Sequence, residues 1–199
     1  MKIVKCFSFC LILGFCSFAI GESLPTAKIH FFQVLYTGEE SESFESKNAG
    51  YGGELIINSK NPHLNYFSKG RISTIIGKQD FLDGNTEANS SFTFYQTSFE
   101  LGGSLYPFPR KSGRINLYLG ASAMLSYNYL QLGAKTLTTL DSTNQSVSFG
   151  YSGIMGLEIP LFKDLSLTAE FSQRYETVDL VDKSNFSLNG FSISAGFGW

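Results

Sequence analysis

The sequence predicts an all-β fold, an eight-stranded antiparallel transmembrane up-and-down β-barrel. Three observations predict it. Apolar and small polar residues alternate with period two along most of the chain. Long polar connections alternate with short proline-bearing ones. The final stretch, FSISAGFGW, carries the alternation to a terminal aromatic.

The first element precedes the barrel. Lys2 and Lys5, an apolar run from Cys6 to Ile20 and small residues after it read as a secretory signal peptide over 1–21, with the barrel domain over 22–199. Cleavage after Ala19 or Gly21 leaves small residues where such a peptidase reads them. The apolar run is shorter than the roughly 20 residues a spanning helix needs, which disfavours a membrane anchor. Cys6, Cys10 and Cys16 all lie inside this segment, so the mature chain is expected to hold no disulfide. Phe15 before Cys16 argues against lipoprotein processing. Export without disulfides fits a bacterial envelope.

Strands are expected at roughly 27–36, 49–59, 67–78, 92–106, 114–127, 146–160, 165–177 and 187–199. The fifth shows the pattern best, with Ile115, Leu117, Leu119, Ala121, Ala123, Leu125 and Tyr127 on one parity and Arg114, Asn116, Tyr118, Gly120, Ser122, Met124 and Ser126 on the other. The first is less regular, because Phe32 and Val34 oppose Ile29, Phe31 and Leu35; a bulge or a register change is expected there. Longer polar stretches follow the odd-numbered strands. Shorter ones, holding Pro62, Pro107, Pro109 and Pro160, follow the even-numbered strands, so proline is expected to avoid strand interiors.

Alternation alone does not say which face points outward, since a soluble barrel alternates too. Three features favour an apolar exterior, the first being that the polar parity is mostly Ser, Gly, Asn and Thr rather than the Lys and Glu of a water-facing surface; the aromatic belts and the C-terminal aromatic are the others. Small polar residues suit a crowded eight-strand lumen. Charged residues are only 16% of the 199, below the roughly one quarter of a soluble domain. Aromatics are expected to form two belts at the head-group layers: Tyr36, Tyr51, Tyr95, Tyr127, Tyr129, Phe149, Tyr151 and Tyr175 by the long loops, and Phe67, Tyr106, Phe108, Phe162, Phe197 and Trp199 by the short turns. In the last strand Phe191, Ile193, Ala195, Phe197 and Trp199 face lipid and Ser192, Ser194, Gly196 and Gly198 face the lumen.

The ending NGFSISAGFGW resembles the C-terminal assembly signal of outer-membrane proteins, with Phe191, Ile193, Phe197 and Trp199 in its aromatic and apolar places; Trp stands where Phe is commoner. Over nearly the whole mature chain the pattern resembles the small eight-stranded outer-membrane barrels typified by OmpA and OmpX. The resemblance implies a bacterial outer-membrane location, contact with outer-membrane lipid and lipopolysaccharide, and delivery to the barrel assembly machinery. The chain is expected to carry no separate periplasmic domain.

On the lumen parity stand Glu54, Arg71, Glu100, Arg114, Glu158, Glu170 and Arg174. Isolated charge in a narrow lumen costs several kcal/mol, so these are expected to pair into a plug of ion pairs. The first long loop gathers Glu39, Glu40, Glu42 and Glu45, and the second adds Asp80, Asp83 and Glu87, without the spacing of a calcium loop. These acidic loops read as solvated surface, and no metal or cofactor is called for. The net charge of −2 gives no field for nucleic acid.

Histidine is limited to His30 and His63, both toward the short-turn end. No nucleophile elbow, zinc spacing, phosphate loop or dinucleotide fingerprint is present, so no enzyme is expected. A non-enzymatic barrel with a structural or surface-contact role through its loops leads the alternatives. A narrow channel for small solutes comes next, then a soluble exported barrel with its faces inverted around a hydrophobic ligand.

Overall fold

A computed structural model describes residues 26–37, 49–59, 61–83, 86–111, 114–132, 143–162, 165–180 and 183–199. The segment 1–21, expected to be a signal peptide, and the acidic residues Glu39, Glu40, Glu42 and Glu45 of the first expected loop lie outside them. The strands are β1 (Ala27–Tyr36), β2 (Ala49–Asn58), β3 (Leu64–Asp83), β4 (Thr86–Leu105), β5 (Asn116–Leu132), β6 (Thr143–Phe162), β7 (Leu165–Leu180), β8 (Lys183–Ser187) and β9 (Gly190–Gly198).

Each strand pairs antiparallel with the next, and the ring closes. β8 and β9 are successive pieces of one stave: β8 continues the pairing on β7 above Leu188 and Asn189, while β9 lies between β7 and β1. The result is a closed eight-stranded antiparallel barrel. The seam joins the first and last strands, from Lys28 opposite Gly198 to Tyr36 opposite Gly190. It is fastened at its foot by Thr26 N–H and Ala27 N–H, which donate to the Trp199 carbonyl at 2.7 and 3.1 Å.

The faces are sorted as a lipid-spanning barrel requires. Ile29, Phe31, Ile72, Leu101, Leu119, Phe149, Met155 and Ile193 point outward, with Phe31 and Phe149 each 77% exposed, while serines and charged side chains fill the interior. A soluble barrel would reverse this, so the inverted reading is not the one the structure takes.

Five expectations change, the last of them at Pro160. β1 is regular, with no bulge: Phe32 and Val34 alternate inward because the interior is apolar at the loop end. For the same reason Tyr36 leaves the expected outer belt and turns inward, 4% exposed. Phe67 and Tyr106 also leave their belt, packing inside with Ile56, Tyr118 and Ile154. The stretch from 79 to 91 is mostly strand, β3 running to Asp83 and β4 starting at Thr86. Pairing there rests on the backbone ladder, so strand continues where the apolar alternation has faded.

Contrary to the expectation that proline avoids strand interiors, Pro160 lies within β6, at a register irregularity against β7 between Pro160 and Phe162. The β5 ladder ends at Asn116 opposite Glu158, so on that side the missing N–H of Pro160 has no ladder bond to break. Tyr95 with Tyr129, Tyr151 with Tyr175, and Phe171 with Phe191 form ring pairs at centroid distances of 6.2, 5.0 and 5.5 Å.

Candidate functional site

Side chains on the inward parity meet across the lumen in layers. The lowest is centred on Glu158 of β6, buried at 1% exposure. Lys28 Nζ stands 2.9 Å from its Oε1. Arg110 grips the same carboxylate with both arms, Nε 2.8 Å from Oε2 and Nη2 3.0 Å from Oε1, and the Tyr106 hydroxyl donates to Oε1 at 3.0 Å. Burial, with Glu158 beside it, holds the Tyr106 phenol above its usual range and keeps it a donor.

Arg110 belongs to no strand. It sits on the connection between β4 and β5, which is tied to the neighbouring one: Arg110 N–H donates to the Pro62 carbonyl at 2.9 Å and Tyr106 N–H to the His63 carbonyl at 2.8 Å. Tyr118 packs above this floor, where Lys28 Nζ lies 4.5 Å from its ring centroid. Gly156 on β6 makes room for the ring; any Cβ there would collide with Tyr118.

The middle layer carries most of the charge. Arg71 Nε is 3.1 Å from Glu54 Oε2 and its Nη1 3.3 Å from Glu100 Oε1, while its Nη2 donates to Ser192 at 3.0 Å. Lys69 Nζ is 3.0 Å from Glu170 Oε1 and 3.8 Å from Glu54 Oε1. His30 completes the set, Nδ1 lying 3.0 Å from Glu54 Oε1 and Nε2 2.5 Å from the Thr168 hydroxyl. Ser122 donates to Glu100 Oε2 at 3.0 Å and meets Ser152 at 2.8 Å.

The upper layer is Arg174, Glu176, Gln96, Asn128 and Ser148. Arg174 Nη2 is 3.1 Å from Glu176 Oε2 and donates to Gln96 Oε1 at 3.1 Å. Gln96 Nε2 donates to Asn128 Oδ1 at 2.9 Å, and Ser148 to Glu176 Oε1 at 2.6 Å. Val34, Tyr36, Ile75, Phe92, Phe94, Leu130, Val178 and Leu188 form an apolar cluster toward the long loops, and Phe32, whose ring lies 4.0 Å from the Arg71 guanidinium, joins it to the middle layer.

Among the described residues the buried charges balance: Lys28, Lys69, Arg71, Arg110 and Arg174 against Glu54, Glu100, Glu158, Glu170 and Glu176. His30, Glu54 and Glu170 offer ligand atoms within 4.8 Å of one another, a spacing that would admit a cation. Lys69 and Arg71 already supply that cluster with positive charge. A metal ion would have to displace an ammonium that matches both carboxylates.

Of the residues singled out in the sequence, Glu54, Arg71, Glu100, Glu158, Glu170 and Arg174 lie buried in these layers. Arg114 does not join them; it is exposed beyond the end of β5, because that strand begins only at Asn116. Arg110 takes the place beside Glu158. Sequence reasoning missed Arg110, Lys28, His30, Lys69 and Glu176 as lumen groups. Parity could have found four of them, since Lys28 and His30 share it with Phe32, Lys69 with Arg71, and Glu176 with Arg174. No periodic signal marks Arg110, which arrives from a turn. Ile193, Phe197 and Trp199 of the C-terminal motif point outward, and Phe191 is half-buried against Phe171.

No protein-family model matches the chain, and no curated relative does. Solved structures do. Neisserial surface protein A (NspA) aligns over 86% of this chain and 92% of its own, at 15% identity and a TM-score of 0.53. The fold is that of the small outer-membrane barrels. The outer membrane protein OprG from Pseudomonas aeruginosa aligns over the same 86% and 92%, at 11% identity and a TM-score of 0.52. At such identities the likeness carries the architecture, and the lumen layers are read from this chain's own residues.

Proposed function

We propose that the protein is an integral, non-enzymatic barrel of the bacterial outer membrane, exported by a cleaved signal peptide, with an envelope-structural or surface-contact role through its outer loops. One observation carries this reading: an apolar exterior encloses a lumen closed by charge-balanced layers under an apolar cap. Such an interior supports the wall and leaves contact with partners to the loops. Lipid and lipopolysaccharide are the surroundings this exterior fits. The outward stripe of Ile193, Phe197 and Trp199 fits the aromatic signal read by the barrel assembly machinery.

Fractionation of cells expressing the full chain tests the location. A detergent-dependent outer-membrane band whose gel mobility shifts on boiling is expected, and a soluble periplasmic band would overturn the reading. Planar-bilayer recording tests the closed lumen. Steady conductance sensitive to substitution of Arg71 or Glu170 would replace the structural role with a narrow channel.

A further inference from the structure

Three buried polar atoms at the level between the upper and middle layers have no protein partner: Ser98 Oγ, Ser126 Oγ and Arg174 Nε. The three residues are 2%, 1% and 2% exposed. Their position follows from the ladder of β4 on β5, where Gln96 faces Asn128, Ser98 faces Ser126, and Glu100 faces Met124 on successive inward rungs. Arg174 Nη2 reaches Gln96 Oε1 at 3.1 Å and Met124 Sδ at 2.8 Å. Those atoms belong to the rungs on either side of the two serines and to opposite strands. The diagonal between them crosses the serine rung, so the guanidinium lies over it.

We infer that Ser98, Ser126 and Arg174 Nε form a binding site for one buried water molecule. The donor set fits: a water oxygen accepts from Nε–H and from one hydroxyl, and a water proton goes to the other hydroxyl. That gives about three hydrogen bonds, the usual number for an internal water. A fixed ion fits less well. Glu176 is already paired to Arg174, and Glu100 occupies the next rung, so an anion meets two carboxylates and a cation meets the guanidinium. A neutral dipole meets neither penalty.

The site lies at the height where two sets of lumen side chains meet. Above the rung, Arg174 belongs to the Gln96, Asn128, Ser148 and Glu176 set; below it, Ser122 and Glu100 lead to Arg71, Glu54 and His30. A water on the rung hydrogen-bonds both β4 and β5 through Ser98 and Ser126 and ties them to Arg174 of β7.

The test is a crystal structure of the refolded full chain in detergent, with data also collected after a bromide soak. One density feature within about 3.2 Å of all three atoms, with no anomalous signal, is expected. An anomalous bromide peak on the rung would assign the site to a halide and overturn the inference. Serine hydroxyls turned onto strand carbonyls with no density between them would overturn it as well. A cycle of Ser98→Ala, Ser126→Ala and the double substitution gives an independent readout in urea. A shared water makes the second loss smaller than the first by at least about twofold in the unfolding equilibrium constant, whereas additive losses mean that the hydroxyls hold nothing in common.

Discussion

Arg110 and Glu158 meet as a two-armed fork, Nε to Oε2 at 2.8 Å and Nη2 to Oε1 at 3.0 Å, although one rides on a turn and the other on a strand. Planar guanidinium against carboxylate is the geometry in which arginine cannot be replaced by lysine without losing one arm. Arg110→Met removes both arms and leaves Glu158 with Lys28 and Tyr106. A loss on the order of 2–4 kcal/mol in urea unfolding of the refolded barrel is expected, and the added change Glu158→Gln should deepen it, because the buried Lys28 ammonium then loses its carboxylate. An unchanged midpoint would mean the fork contributes nothing to the floor.

Arg174→Met tests the upper layer. It strips Glu176 of its ion-pair partner and Gln96 Oε1 of its donor. The detergent-solubilised barrel should melt at a lower temperature, by several degrees for each kcal/mol lost in a chain this size. Ser148 and Gln96 still bond Glu176, so the loss should stay below that of an isolated buried carboxylate.

Gly196 tests the seam. A Cβ at this position would land on the carbonyl of Ile29 across the β1–β9 ladder. Gly196→Ala should therefore reduce the heat-shifting folded band on a detergent gel. The outward-facing Gly70, with nothing within 4 Å of an added Cβ, supplies the control, and Gly70→Ala should fold as the parent does. Equal yields from the two would show that closure tolerates a displaced strand.

Phe94→Ala opens a cavity in the apolar cap, at an expected cost of about 3–5 kcal/mol. Conductance in planar bilayers should nevertheless stay at the parent level, because the upper, middle and lower polar layers remain in series beneath it. Open-channel current from this variant alone would place the whole barrier in the cap.

The strands were legible because lipid outside and small polar groups inside impose opposite chemistry on adjacent residues, as Ile115 to Tyr127 show. The same logic explains its failures. Phe32, Val34 and Tyr36 are apolar on the inward parity, and where both faces are apolar the pattern carries no direction. From Gln79 to Asp83 and from Thr86 onward the backbone ladder continues where the apolar alternation has faded, and composition does not record it. Most of the lumen charges could be placed by parity once the faces were known. Arg110 could not, since its position depends on how one turn folds beneath the barrel and onto the next.

The seam between β1 and β9 has a bearing on how the molecule is made. Lys28 and Gly198 stand 170 positions apart in the sequence, and pairing so remote in sequence is slow to form. Until the Trp199 carbonyl receives the N–H groups of Thr26 and Ala27, β1 presents a bare edge. In hydrocarbon each unmet backbone group costs several kcal/mol, so a nascent sheet short of its final stave has no foothold in the bilayer. Closing the ring and covering that last edge are thereby one event, and it waits on β9.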